Sequence, residues 1–258
     1  MAIPDPLAGI SGRGPQPGHF YAVGIGPGSP DLLTLRAARL VEQCDVILSP
    51  QAKTATKSLA LEAVRPFLND QEIIVLSYPM ERNDQKTRQR WQQLADDVVQ
   101  RCTNGQSVVQ VTLGDPLIFA TSSYLLQALA DQMPTDHLHV VPGISAFQTA
   151  ASRFAEVLTL QEDRLTLMSA TNLDAVAQAL DHCETLVLYK AGGCIDALMD
   201  LLRQRHLLSQ ARLVSCGEQG DHELLVDDLS QWTMTPLSYM TTLIVKIGQR
   251  GWQENAAS

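Results

Sequence analysis

The chain has 258 residues, 28 acidic against 19 basic side chains for a formal net charge of −9, and 45% hydrophobic and 18% charged residues. That length buries a substantial core in one large domain or, as preferred here, two moderate ones, and the composition excludes an intrinsically disordered chain. The acidic balance argues against a nucleic-acid partner, because phosphate-backbone binders carry a basic face.

Cys44, Cys102, Cys183, Cys194 and Cys216 are scattered and show no CxxC spacing, so they read as reduced, mostly buried thiols rather than zinc ligands or a redox pair. No run approaches the roughly 18 apolar residues that span a bilayer, and the N-terminus lacks a charged-then-apolar signal pattern. A cytoplasmic protein without a membrane partner is expected.

Residues 1–18 are rich in proline and glycine and read as an irregular extension. A buried strand at Phe20–Ile25 then breaks at Gly26-Pro27-Gly28-Ser29-Pro30 and leads to a helix with Leu33, Ala37, Leu40 and Val41 on one face. Strand 45–48, helix 58–68, strand 72–76 and a polar helix 84–102 carrying Trp91 follow. The β-branched run from Val108 ends abruptly in Gly114-Asp115-Pro116. Asp115 is a favoured N-cap and Pro116 a favoured first helical residue, which predicts strand, tight turn, helix, with Tyr124, Leu125, Ala128 and Leu129 on one face. Strand 137–141, the turn Pro142-Gly143-Ile144-Ser145 and a helix through about Ala155 complete a first domain, 19–155. Its alternating strands and helices predict an α/β domain with a mainly parallel sheet covered on both faces.

A polar link precedes a second α/β domain, 164–248, with strands at 164–169, 185–189, 212–216 and 242–247, and helices at 173–180 and 195–207. Between Gly217 and Pro236 there is room for a hairpin, so a mixed sheet is expected. Residues 249–258 read as a tail.

Ligands of open α/β sheets bind beyond the carboxyl ends of the strands. Gly24–Gly28, Gly114–Pro116 and Pro142–Ser145 all fall there and together favour a small-molecule site. Ser29 takes the place of a third glycine, Pro27 interrupts the amides, and no Gly-Lys-Ser/Thr occurs, so a phosphate cradle is disfavoured. A carboxylate at Asp115 suits a ligand with hydroxyl or cationic groups, such as a ribose, an ammonium or a sulfonium.

The segments GIGPGSPDLLTLRAARLV, TLGDPLIFATSSYL, VVPGISAFQTAA and TLVLYKAG resemble, in order and spacing, the successive motifs of the tetrapyrrole (corrin/porphyrin) methylases. The resemblance covers nearly the whole of 20–247 and implies a class III S-adenosylmethionine methyltransferase: two α/β domains with the cofactor cleft between them. Ser49-Pro50 with Lys57-Ser58-Leu59-Ala60, the segment Tyr78-Pro79-Met80-Glu81-Arg82 upstream of Trp91, and Thr121-Ser122 resemble the branch that methylates carbon 20 of precorrin-2 or its cobalt form in cobalamin synthesis. Another ring position is the nearest rival. A ribose methyltransferase of similar fold and a non-enzymatic nucleotide sensor are more distant ones.

Carried over residue by residue, the resemblance implies cofactor contacts at Pro27, Leu113, Gly114, Asp115, Ile118, Thr121, Ser122, Ser145 and Ala146, and from the second domain at Lys190, Gly217 and Thr242. Lys190 departs from the methionine of many relatives and also reads as a solvated strand end. The polycarboxylate substrate implies basic contacts, for which Arg82, Arg88, Arg90 and Arg153 are candidates; each also reads as ordinary surface charge. Tyr124 either packs a ring face or, the simpler expectation, fills the core. No Ser-His-Asp set, metal-binding histidine pair or Cys-His signature occurs, so neither a catalytic nucleophile nor a metal is expected. His137 and His139 read as half-exposed strand residues. A homodimer is implied by the resemblance alone.

Overall fold

The computed structural model describes residues 14–51, 57–77, 84–233 and 235–248. The chain divides into two compact units at Ser145/Ala146. The first contains β1 (Phe20–Gly24), α1 (Leu35–Gln43), β2 (Val46–Gln51), α2 (Leu59–Val64), β3 (Glu72–Ser77), α3 (Asp84–Thr103), β4 (Val108–Thr112), α4 (Ser123–Ala130) and β5 (Leu138–Val141).

Its five strands run parallel in the order β3-β2-β4-β1-β5. Side chains alternate across the pleat, so β1 sends Tyr21 and Val23 to one face and Phe20 and Ala22 to the other. The first face packs on Ala37, Leu40 and Val41 of α1 and Ala63 and Val64 of α2. The second packs on Trp91, Ala95 and Val98 of α3 and Leu125 and Leu129 of α4. Burial on both faces explains why β1 and β4 are buried throughout. From β1 the chain crosses to β2 on one side of β4; from β4 it crosses to β5 on the far side of β1. The strand order therefore reverses between β1 and β4, and their carboxyl ends bound the crevice where such sheets bind ligands.

The second unit contains α5 (Ala146–Arg153), β6 (Leu165–Ser169), α6 (Leu173–Ala179), β7 (Thr185–Tyr189), α7 (Ile195–Gln204), β8 (Ala211–Ser215), β9 (Leu224–Val226) and β10 (Thr241–Lys246). Its sheet has the order β6-β7-β10-β8-β9; β6 and β7 are parallel, and β10 is antiparallel to both of its neighbours. The expected mixed sheet is present; of the hairpin expected between Gly217 and Pro236 only one strand, β9, lies there among the described residues, and it pairs antiparallel with β8 upstream. One face is covered by Val176 of α6 and Leu198, Met199 and Leu202 of α7. Ala150 and Ala151 of α5 pack with Val187, Val214 and Ile244 on the other. That packing groups α5 with the second sheet, whereas the sequence reading runs the first domain on to residue 155.

Two local expectations are corrected. Asp115 does not cap α4, which starts at Ser123 behind Ser122; instead Asp115 Oδ1 accepts from Leu117 N at 2.8 Å, closing a short turn that leaves Phe119 at φ 51°. Nor does Tyr124 fill the core. One helical position from buried Leu125, it is 56% exposed and stacks on Trp91 with ring centroids 5.8 Å apart. All five cysteines are free; burial pushes the Cys44 thiol up to about 12 and Cys102 up to about 11, which keeps both unreactive.

Candidate active site

In the first unit the three glycine turns are joined by direct contacts. Gly114 N donates to Gly26 O at 2.7 Å and Gly26 N to Gly114 O at 3.4 Å, an antiparallel bridge between the ends of β1 and β4. The third turn, after β5, is held by Asp115, whose Oδ2 accepts from Gly143 N at 3.1 Å. A Cβ on Gly143 would lie 2.2 Å from Gly114 O and 2.7 Å from the Gly24 carbonyl carbon, so only glycine permits this approach. Gly114 itself has φ 74°. Three turns remote in sequence thus form one rim over the switch point.

Of the expected cofactor residues, Pro27, Leu113, Gly114, Asp115, Ile118, Thr121, Ser122 and Ser145 all belong to these turns or to the loop from β4 to α4. Pro27, Gly114, Ser122 and Ser145 are buried, and the others named are half-buried. The Ser123 hydroxyl donates to Pro116 O at 2.8 Å and pins that loop. Ser49 and Ser58, at the same end of β2, hydrogen-bond at 2.8 Å, and Ser58 also donates to Pro50 O at 2.7 Å.

In the second unit Lys190 follows β7, Gly217 follows β8, and Thr242 pairs with Tyr189 at the start of β10, so all three share one end of that sheet. Lys190, Cys216 and Glu218 there have φ of 61°, 51° and 60°. Left-handed backbone at non-glycine residues costs about 1–3 kcal/mol each and concentrates at functional sites. Lys190 Nζ lies 5.7 Å from the centre of the Tyr239 ring, a cation–π contact rather than a fully solvated end. Ala146 opens α5 in this unit.

Arg88 and Arg90 are exposed on α3, and Arg82 lies outside the described residues. Arg153 on α5 is engaged with two carboxylates: its Nε donates to Glu223 Oε1 at 2.8 Å, its Nη2 pairs with Glu223 Oε2, and its Nη1 lies 3.2 Å from Glu218 Oε1. These hydrogen bonds hold the guanidinium above its usual range. Sequence reasoning missed the Asp115–Gly143 bond and the Arg153–Glu223 pair. The first had a signal, a glycine boxed between Pro142 and Ile144 after a strand; the second joins residues with no local pattern between them.

A rim built from main-chain groups, small side chains and one carboxylate, with buried Thr112 and Ser122 hydroxyls that have no partner among the described residues, fits a largely neutral nucleoside carrying a sulfonium. The tetrapyrrole (corrin/porphyrin) methylase family matches residues 19–220. Over 236 residues the chain is 34% identical to cobalt-precorrin-2 C(20)-methyltransferase of Salmonella typhimurium, covering 88% of this chain and 96% of that one. The solved structure of a cobalt-precorrin-4 methyltransferase of cobalamin synthesis shares the fold with a TM-score of 0.67 at 18% identity, covering 88% of this chain and 93% of that one. Uroporphyrin-III C-methyltransferase from Thermus thermophilus, solved with S-adenosylhomocysteine, shares it with a TM-score of 0.61 at 20% identity, covering 88% and 96%. From the family match and the relationship to the Salmonella enzyme, the chain belongs to the tetrapyrrole (corrin/porphyrin) methylases.

Proposed function

We propose that the protein methylates carbon 20 of precorrin-2, or of its cobalt form, with S-adenosylmethionine as donor and S-adenosylhomocysteine as product, in cobalamin synthesis. The fused rim carries the assignment: three turns bonded to one another over the switch point of a parallel sheet, in the family that the motifs identify. The identity to the Salmonella enzyme supports carbon 20 as the ring position.

S-adenosylmethionine supplies a methyl group on a sulfonium, an electrophile that needs a nucleophilic carbon about 3 Å away and in line with the C–S bond. The electron pair of that bond stays on sulfur as the new C–C bond forms. The protein's part is placement. The Asp115 carboxylate, committed to the Leu117 and Gly143 amides, fixes the turn against which the donor rests, while Leu113, Gly114 and Ile118 line it. Lys190, Gly217 and Thr242 of the second unit are assigned as cofactor contacts on the resemblance of the motifs.

Arg88 and Arg90 meet the carboxylates at the periphery of the macrocycle, with Arg82 from the preceding segment; the exposed ring of Tyr124 packs on the macrocycle face. Arg153, held by Glu223 and Glu218, is the weaker substrate candidate. We also assign the working form as a cytoplasmic homodimer, which sedimentation equilibrium tests: twice the 28.2 kDa chain mass is expected, and the chain mass itself contradicts it. For the reaction, purified protein is incubated with precorrin-2 and methyl-labelled S-adenosylmethionine. A product heavier by one methyl is expected; recovery of unmodified tetrapyrrole from both the metal-free and the cobalt substrate overturns the proposal.

A further inference from the structure

Thr112 is the last residue of β4 and shares a face with Val108 and Gln110, the face that looks onto α3 and α4. It is 7% exposed, and its Oγ1 has no hydrogen-bond partner among the described residues. Ser122 stands at the N-cap of α4, on that same layer and at that same end; it is 5% exposed, its hydroxyl does not cap the helix, and it too has no partner.

Other buried hydroxyls of the described residues do have partners. Ser49 pairs with Ser58, Ser107 with Asp45, Thr185 donates to Leu158 O, and Thr241 pairs with Ser215. A buried hydroxyl left unpaired costs free energy, and a valine of the same shape would avoid that cost. Among the described residues, the two orphaned hydroxyls stand at either end of the segment from β4 to α4 that carries Leu113–Ile118.

We propose that Thr112 is a ligand-binding residue: its hydroxyl hydrogen-bonds, beside that of Ser122, to the bound S-adenosyl compound. The inference rests on the cofactor reading above and extends the site one residue back into the strand. A hydroxyl both donates and accepts, so it suits a polar group of the nucleoside or amino-acid part of a neutral thioether product as well as of the charged donor.

Calorimetric titration of the full chain with S-adenosylhomocysteine tests it on two variants, alongside thermal unfolding without ligand. Thr112→Val keeps the shape and removes the hydroxyl; about tenfold weaker binding is expected, the effect of one lost hydrogen bond, with an unfolding midpoint unchanged or raised. Thr112→Ser keeps the hydroxyl and is expected to bind within about threefold of the parent. Thr112→Val binding like the parent overturns the inference, and so does a lowered midpoint without ligand, because the hydroxyl is then satisfied inside the protein. If the parent itself fails to bind S-adenosylhomocysteine, the cofactor reading falls, a result distinct from a silent Thr112→Val.

Discussion

Asp115 sits where a helix cap and a ligand contact were both open readings; the structure excludes the cap of α4 and gives both carboxylate oxygens main-chain partners. Each oxygen accepts one main-chain amide, from Leu117 and Gly143, so the side chain ties the second turn to the third. Asp115→Ala leaves the part-buried Gly143 amide and the exposed Leu117 amide without acceptors, and a loss of about 1–3 kcal/mol is expected, read as a lower thermal midpoint together with weaker S-adenosylhomocysteine binding. An unchanged midpoint with lost affinity would instead make the carboxylate a direct ligand contact. Gly143→Ala forces a methyl group into Gly114 O and is expected to abolish cofactor binding and lower the midpoint; a folded, binding variant would contradict the close approach. The residue types of the rim were legible in the sequence, because glycine and proline after a β-branched run mark strand ends. Which side-chain oxygen meets which amide was not, since that depends on the order in which the strands lie side by side.

At the scale of elements, the amino end of the first sheet carries a group the site does not use. His19, just before β1, stacks with His137 and with His139 of β5 at 4.2 and 5.1 Å, and His19 Nδ1 lies 2.8 Å from His139 Nε2. Tyr21 of β1 stacks on His139, and its hydroxyl accepts from Gln16 N. Burial, and then the neighbouring imidazoles, lower the pKa of both His19 and His139, while Asp136 acts weakly in the opposite sense. The folded state therefore binds fewer protons than the unfolded chain. Stability from this cluster is complete above the ordinary histidine value of about 6.5 and is lost as pH falls through it toward the lowered values. The thermal midpoint is expected to drop between about pH 7.5 and 5.5, and His139→Gln to flatten that drop; an equal slope in the variant removes the cluster as its cause. On α5, Arg153→Ala is expected to cost less than about 1 kcal/mol of stability for a partly exposed pair, read as a slightly lower midpoint, and to raise substrate KM less than Arg88→Ala does. The reverse pattern would return Arg153 to the substrate. Element order was readable from hydrophobic periodicity, but the start of α4 was not: Asp-Pro is a strong helix-start signal that a left-handed Phe119 overrides. Tyr124 was misjudged because helical spacing fixes an angular position, not whether Trp91 lies beneath it.

For the whole molecule, two α/β units with different sheets match the family, and the first supplies a complete, bonded rim at its switch point. The motifs in their order carried that much from sequence, since each is punctuation that the fold requires. The grouping of α5 with the second sheet was not legible, because its small buried residues, Ala150 and Ala151, suit either neighbour until Val187, Val214 and Ile244 are in place. The chemistry depends on which ring carbon is presented to the methyl group, and a single observation decides that. Precorrin-2, in metal-free and cobalt forms, is converted with S-adenosylmethionine carrying a carbon-13 methyl, and the product is examined by carbon-13 NMR. One enriched methyl coupled to carbon 20 is the expected result; enrichment at any other ring carbon, or none with either substrate, contradicts the assignment.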